Sequence, residues 1–189
     1  MLVRTHCFCV QRGIAEHVQV ELDVRRGLPS FSVVGLAGAA ARDARERVQA
    51  ALVNTGVPLP RQRLTVNLAP SSARRTGSEF DLAIACCVLA AQGHLDSARL
   101  ARVALFGELG LGGQLRCCPG VALAAGAAAD AELAGLIVAS GDTAEARSAG
   151  GLPVAGAADL GEVLALLAPP GVRERPGTVR RGTPPGPRA

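Results

Sequence analysis

The stretch RRTGSEFDLAIACC, residues 74–87, places basic, hydroxyl and acidic side chains directly before a long apolar run. A loop that opens into a buried helix in this way can bind a phosphate, present a nucleophilic serine or cap the helix. Glu79 and Asp81 would repel a phosphate at the start of the helix. Ser78 and Asp81 have the spacing of a shortened capping box, in which the Ser78 hydroxyl would accept a hydrogen bond from a backbone N–H of the first turn and the Asp81 carboxylate would accept one from the Ser78 N–H. We therefore predict that Ser78 and Asp81 form a structural helix cap and that Phe80 anchors the loop to the core.

A catalytic role for Ser78 would require a nearby base. The sequence contains no Lys, which excludes a Walker A loop, a Ser-Lys dyad and a Schiff-base lysine. The three histidines, His6, His17 and His94, lie in no recognisable catalytic motif. We accordingly predict no catalytic residue and no bound cofactor.

The six cysteines fall into three close pairs, which are Cys7 with Cys9, Cys86 with Cys87 and Cys117 with Cys118. Zinc sites usually contain cysteines separated by two intervening residues, and adjacent cysteines on a helix or strand point in different directions. We predict that Cys86 and Cys87 are small core residues and that the chain holds no metal. A cysteine-based metal or redox role is the alternative.

The composition is that of a globular protein, with 49% hydrophobic and 19% charged residues. Only 2% of the residues are aromatic, so the core must be built from Ala, Val and Leu. A net charge of +4 is mildly compatible with nucleic acid. No secretory signal and no membrane-spanning run is evident, so we predict a cytoplasmic protein without a membrane partner.

The periodicity of apolar residues indicates an α/β fold. Strands are expected at residues 3–10, 16–24 and 31–34, where they would form a meander. Residues 39–54 predict a helix with one apolar stripe, and residues 63–68 and 80–91 predict a strand and a helix. Alternating strands and helices up to residue 167 indicate a mixed sheet packed with helices. We predict one domain over residues 1–168 and a disordered Pro/Gly/Arg-rich tail over residues 169–189.

Several arginines could form a contact surface. The candidate residues are Arg42, Arg45 and Arg47 on the first predicted helix and Arg74 and Arg75 in the loop described above. Clustered Arg side chains can bind DNA phosphates or another subunit. The alternative is an ordinary solvated helix face with weak local ion pairs.

Residues 1–167 resemble the N-terminal domain of the ComM/YifB family of magnesium chelatase subunit I-like AAA+ proteins. The resemblance rests on VGL around Gly35, RERV at Arg45–Val48, TVNLAP at Thr65–Pro70, FDLAIA at Phe80–Ala85 and GEL at Gly107–Leu109. It implies a ribosomal protein S5 domain 2-like fold, related to the Lon protease catalytic domain. It also implies a partner AAA+ ATPase module, hexamers, and a role in DNA branch migration during natural transformation, with weak DNA contact by this domain.

The relation to Lon implies two positions for a Ser-Lys dyad, and they are occupied here by Glu79 and Ala122. The expected function is therefore a non-catalytic accessory domain, here without its ATPase module, with a stand-alone Lon-like peptidase-fold protein as an alternative. The chain departs from the family where Gly35-Leu36-Ala37-Gly38 replaces Gly-Leu-Pro-Asp, and where Cys117-Cys118-Pro119 replaces the usual Pro-Val-Arg, with the loss of one Arg. The Pro-rich ending is expected to be a shortened linker or a frame-disrupted remnant.

Overall fold

The computed structural model of the chain describes residues 1–70 and 77–168. Nine strands and six α-helices are present in these residues. The strands are β1 (Leu2–Gln11), β2 (Ile14–Arg25), β3 (Ser30–Val34), β4 (Arg63–Ala69), β5 (Val103–Phe106), β6 (Glu108–Leu109), β7 (Leu115–Arg116), β8 (Gly135–Ala139) and β9 (Val154–Ala157). The helices are α1 (Gly38–Asn54), α2 (Asp81–Ala91), α3 (Ser97–Leu100), α4 (Val121–Asp130), α5 (Thr143–Ser148) and α6 (Leu160–Leu167).

Seven of the strands form one sheet in the order β3-β4-β2-β1-β5-β8-β9, and β6 and β7 form a separate small antiparallel pair. Only the pairings of β2, with β1 and with β4, are antiparallel in the large sheet; the other four are parallel. This architecture confirms the predicted α/β class with a mixed sheet and helices.

Burial along β1 shows that helices cover both faces of the sheet. Cys7 and Phe8 are neighbours in the strand, point to opposite faces and are both fully buried. The Cys7 thiol donates to the Glu79 carbonyl just before α2, whereas Gly120, just before α4, lies against Val10 on the other face. The start of α2 and the start of α4 are therefore brought to the same end of β1 from opposite sides.

The predicted meander is wrong in its third strand. β1 and β2 form the expected hairpin, but β3 pairs in parallel with β4, which lies between β3 and β2. The reason lies in the buried residues of β4: Leu68 and Val66 stand opposite Val20 and Leu22 and continue the apolar face of β2. β3 has no residue that is fully buried and takes the edge, connected to β4 through α1 in a β-α-β unit.

Candidate functional site

The first residue of α2, Asp81, is completely buried and is held by an arginine from α1. Arg47 Nε donates to Asp81 Oδ2 at 2.6 Å, and Arg47 Nη2 donates to Asp81 Oδ1 at 3.1 Å. The Leu109 backbone N–H of β6 also points at Asp81 Oδ2, at 3.4 Å. The ion pair thus ties three elements, α1, α2 and β6, to one buried carboxylate.

Burial raises the pKa of Asp81 to about 6, although the hydrogen bonds and charge of Arg47 act in the opposite direction. The same contact raises the pKa of Arg47. The free-energy cost of removing the carboxylate from water therefore exceeds the stabilisation that Arg47 provides, as is common for buried ion pairs. Above pH 6 the carboxylate is nevertheless ionised and paired, so its two oxygens are engaged in positioning α2.

The predicted cap formed by Ser78 and Asp81 is wrong. α2 begins without a side-chain hydrogen bond at its N-terminus, and Asp81 is turned towards Arg47. The backbone supplies the cap instead, because the Leu82 N–H of the first turn donates to the Gly107 carbonyl at 3.2 Å. The Ser78 hydroxyl donates to the Glu108 carboxylate, which also accepts from Arg116. The prediction that Phe80 is anchored in the core is confirmed, since it is fully buried.

A cavity of about 280 Å³ opens beside this junction, between the end of β1, the start of α2 and the loop before α4. Its lining includes Ser78, Glu79 and Cys118. Burial raises the pKa of the Cys118 thiol to about 12, so this thiol is not a nucleophilic thiolate at neutral pH. Glu79 adds a carboxylate to the wall, and the unsuitability of the loop for phosphate stays a prediction.

The arginines predicted as a contact surface occupy three different environments. Arg42 is exposed on α1, Arg45 is half-buried and donates to the Phe31 carbonyl at 3.3 Å, and Arg47 is committed to Asp81. Arg74 and Arg75 lie outside the described residues. α1 therefore presents Arg42 to solvent more than it presents a continuous basic face.

Sequence reasoning missed a second basic region at one end of the sheet. Arg25 of β2 stands directly opposite Arg63 of β4, and Arg26 and Arg61 lie in the adjoining loops. All four are exposed. The available signal was the pair of short motifs RRGLP and PRQR, each at a strand terminus, but only the pairing of β2 with β4 brings them together.

The cysteines are mostly inaccessible. Cys7, Cys9, Cys86, Cys87 and Cys118 are buried, and Cys117 is exposed. This confirms the core position predicted for Cys86 and Cys87. Within residues 1–70 and 77–168, no group of three or more His, Cys, Asp or Glu side chains is arranged to hold a metal ion.

Thiol titration should reflect this burial. We expect a single thiol, Cys117, to react with Ellman's reagent in the native protein and all six to react after unfolding in urea. Its reaction should be slow at pH 7, because the Asp142 carboxylate accepts a hydrogen bond from this thiol and raises its pKa. Cys117→Ser should abolish the native reaction. Two or more fast thiols in the native protein would contradict the burial described here.

Comparison with known proteins covers most of this site. The family described as subunit ChlI of Mg-chelatase matches residues 20–142, which include α1, α2 and the part of the cavity lining that follows β1. The chain belongs to this family. Its relatives include proteins named YifB and ComM, so the predicted ComM/YifB membership is confirmed.

Three relatives illustrate the extent of the similarity. An uncharacterized protein of Mycobacterium tuberculosis H37Rv is 38% identical over 157 residues, which is 82% of this chain and 31% of the relative. YifB of Escherichia coli K12 is 40% identical over 106 residues, 56% of this chain and 21% of the relative. The competence protein ComM of Haemophilus influenzae is 41% identical over 104 residues, 55% of this chain and 20% of the relative. The chain thus spans less than a third of the length of these family members.

In the part of the chain that the structure describes, no helix combines the length and the apolar character needed to cross a membrane.

Proposed function

We propose that this ChlI-family chain is a non-catalytic accessory domain that acts with an AAA+ ATPase module in DNA processing, as the name of the competence protein ComM suggests for that relative. We also propose that its α/β fold is of the ribosomal protein S5 domain 2-like type. The observation that carries the proposal is the Arg47–Asp81 pair. Both oxygens of the Asp81 carboxylate at the start of α2 accept hydrogen bonds from Arg47, so this carboxylate has a structural role.

The two positions that correspond to a Lon-type dyad support the same proposal. Glu79 occupies the serine position and lines the cavity, and Ala122 occupies the lysine position near the start of α4. Neither side chain can serve as the nucleophilic hydroxyl or the amine base of such a dyad. We expect a peptide substrate such as casein to remain uncleaved after long incubation, and cleavage that survives Ser78→Ala and Glu79→Ala would point to a contaminating protease.

The accessory role is tested by adding the chain to a separately purified AAA+ ATPase module of a ComM relative. We expect the chain to co-elute with the module and to change its ATPase rate in the presence of branched DNA. The Arg47→Met variant, which breaks the pair that positions α2, should weaken this effect, whereas Arg102→Ala, on another exposed segment, should retain it. No co-elution together with no change in ATPase rate would contradict the proposal.

Direct DNA contact has its own test. We expect weak binding of a labelled duplex at low salt, measured by fluorescence anisotropy, with the logarithm of affinity falling linearly with the logarithm of salt concentration. Arg42→Ala should reduce that slope by roughly one, because each neutralised phosphate contributes about 0.9 to it. Equal slopes for the wild type and Arg42→Ala would remove Arg42 from the contact surface.

A further inference from the structure

β3 is an edge strand of the large sheet and has a row of backbone N–H and C=O groups that face outwards. The Ser30 N–H points towards β4 and donates to the Gln62 carbonyl at 3.3 Å. Because backbone groups alternate in direction along a strand, those of Phe31 and Val33 point away from β4. Among the described residues, no strand pairs with this side of β3. An edge of this kind can accept an additional extended strand.

One outward-facing group is already in contact with a positive charge. Arg45 of α1 donates to the Phe31 carbonyl at 3.3 Å. A carbonyl oxygen has two lone pairs and can accept a second hydrogen bond from an incoming strand. The guanidinium of Arg45 also retains further N–H donors that could bind a carboxylate of that strand.

A cavity of about 300 Å³ lies next to the same edge. Its apolar lining includes Phe31 of β3, Leu59 and Pro60 of the loop before β4, and Leu64 of β4. Gln49 of α1 and Arg61 lie at the same cavity. A strand added to β3 could therefore place one apolar side chain in a pocket while its backbone pairs with the edge.

The end of this edge at which β3 begins is basic. The exposed residues Arg25, Arg26, Arg61 and Arg63 lie at the end of the sheet where β3 begins, and the stretches 24–31 and 57–64 contain no Asp or Glu. Asp23 faces this region but is paired with Arg25. The charge thus favours an acidic ligand.

Other occupants fit these features less well. A second copy of the chain would bring its own arginines to the same edge. The segment 169–189 of this chain carries five Arg, six Pro and one Glu, so it lacks both the charge and the N–H groups of a complementary strand. A nucleic acid would match the charge but would leave the outward backbone groups and the apolar cavity unused.

We propose that the open edge of β3 binds an extended acidic peptide of a partner protein, which pairs with the backbone of Phe31 and Val33 and inserts an apolar side chain into the cavity lined by Phe31 and Leu59. This interaction goes beyond the accessory role proposed above and does not depend on it. It makes β3 a recognition element whose specificity combines alternating carboxylates with one apolar anchor.

The probe is a synthetic panel of peptides of about eight residues, the length of a strand, with Asp or Glu alternating with Val, Leu, Ile or Phe. Titration into the isotope-labelled chain should shift the amide resonances of Phe31 and Val33 and protect them from hydrogen exchange. N-methylation of alternate peptide nitrogens should abolish binding, because it removes the donors that pair with β3. Arg61→Glu should weaken binding about tenfold or more through charge reversal.

Matched controls separate this edge from general electrostatics. Arg102→Glu changes an exposed arginine elsewhere and should leave peptide affinity unchanged. A single-stranded oligonucleotide and a basic peptide of the same length should not shift the Phe31 and Val33 amides. The proposal is overturned if no member of the panel binds at about 1 mM, or if the oligonucleotide shifts these amides and the acidic peptides do not. Neither result would affect the co-elution test of the accessory role.

Discussion

Replacing Arg47 with Met is expected to destabilise the fold by about 3 kcal/mol at pH 8, because it leaves the buried Asp81 carboxylate without its opposite charge. The value lies at the low end for a broken buried pair, since the Arg47 side chain is partly exposed and partly screened by solvent. Urea unfolding followed by circular dichroism measures the loss.

The pH dependence of this loss distinguishes a buried charge from lost packing. The folded-state pKa of Asp81, about 6, exceeds its ordinary value of 3.8. Its contribution therefore favours folding most at pH values below about 4 and is lost as pH rises through 6. Without Arg47 the pKa rises further, so the difference between wild type and variant should shrink from pH 8 to pH 5.

Arg42→Met is the matched control, because Arg42 lies on the same helix and is exposed. It should change stability by no more than about 0.5 kcal/mol at either pH. A loss for Arg47→Met that is equal at pH 5 and pH 8 would contradict the role assigned to Asp81.

Gly35→Ala is expected to destabilise the fold by about 2 to 4 kcal/mol, from a left-handed backbone and a steric overlap together. Gly35 joins β3 to the segment before α1 with φ +96°, and a Cβ there would lie 2.6 Å from the Leu68 carbonyl oxygen and 3.0 Å from Leu68 Cβ. The Leu68 backbone belongs to β4 and cannot move aside without disturbing the sheet.

Gly38→Ala provides the comparison within the same connection. A Cβ at Gly38, the first residue of α1, meets no atom within 4 Å. This substitution should be neutral or stabilise by up to about 0.5 kcal/mol, since alanine favours helices. Thermal unfolding of the two variants side by side measures the difference, and similar midpoints would show that the approach of Gly35 to Leu68 is not restrictive.

Local patterns predicted most of the elements. The alternation in β2 buries Val18, Val20 and Leu22 as expected, and the apolar stripe of α1 buries Ala44 and Val48. These features depend on neighbours within a few residues, where strand and helix periodicity hold.

The features that local patterns missed depend on distant partners. Asp81 has the sequence context of a helix cap, but its carboxylate is buried and needs a positive charge beside it. Arg47 provides that charge from a position 34 residues away in the chain. Ser78 likewise bonds to Glu108, 30 residues later. The predicted meander places β3 next to β2, whereas the buried residues of β4 continue the apolar face of β2 and β4 takes that position. The site was hard to predict because its interacting residues are far apart in the sequence, more than because of their residue types.

The central position of β1 has a consequence for synthesis of the protein on the ribosome. β1 is made before the other strands of the sheet, but its partner β5 begins only at Val103, so one edge of β1 stays open while β2, β3 and β4 complete the other side. The 34 residues from Ala69 to Val103 take roughly two to seven seconds to translate. During that interval the nascent four-strand unit exposes the unpaired backbone groups of β1, and an open strand edge of this kind is prone to aggregation. Synonymous codons that slow translation between β4 and β5 should therefore lower the yield of soluble protein.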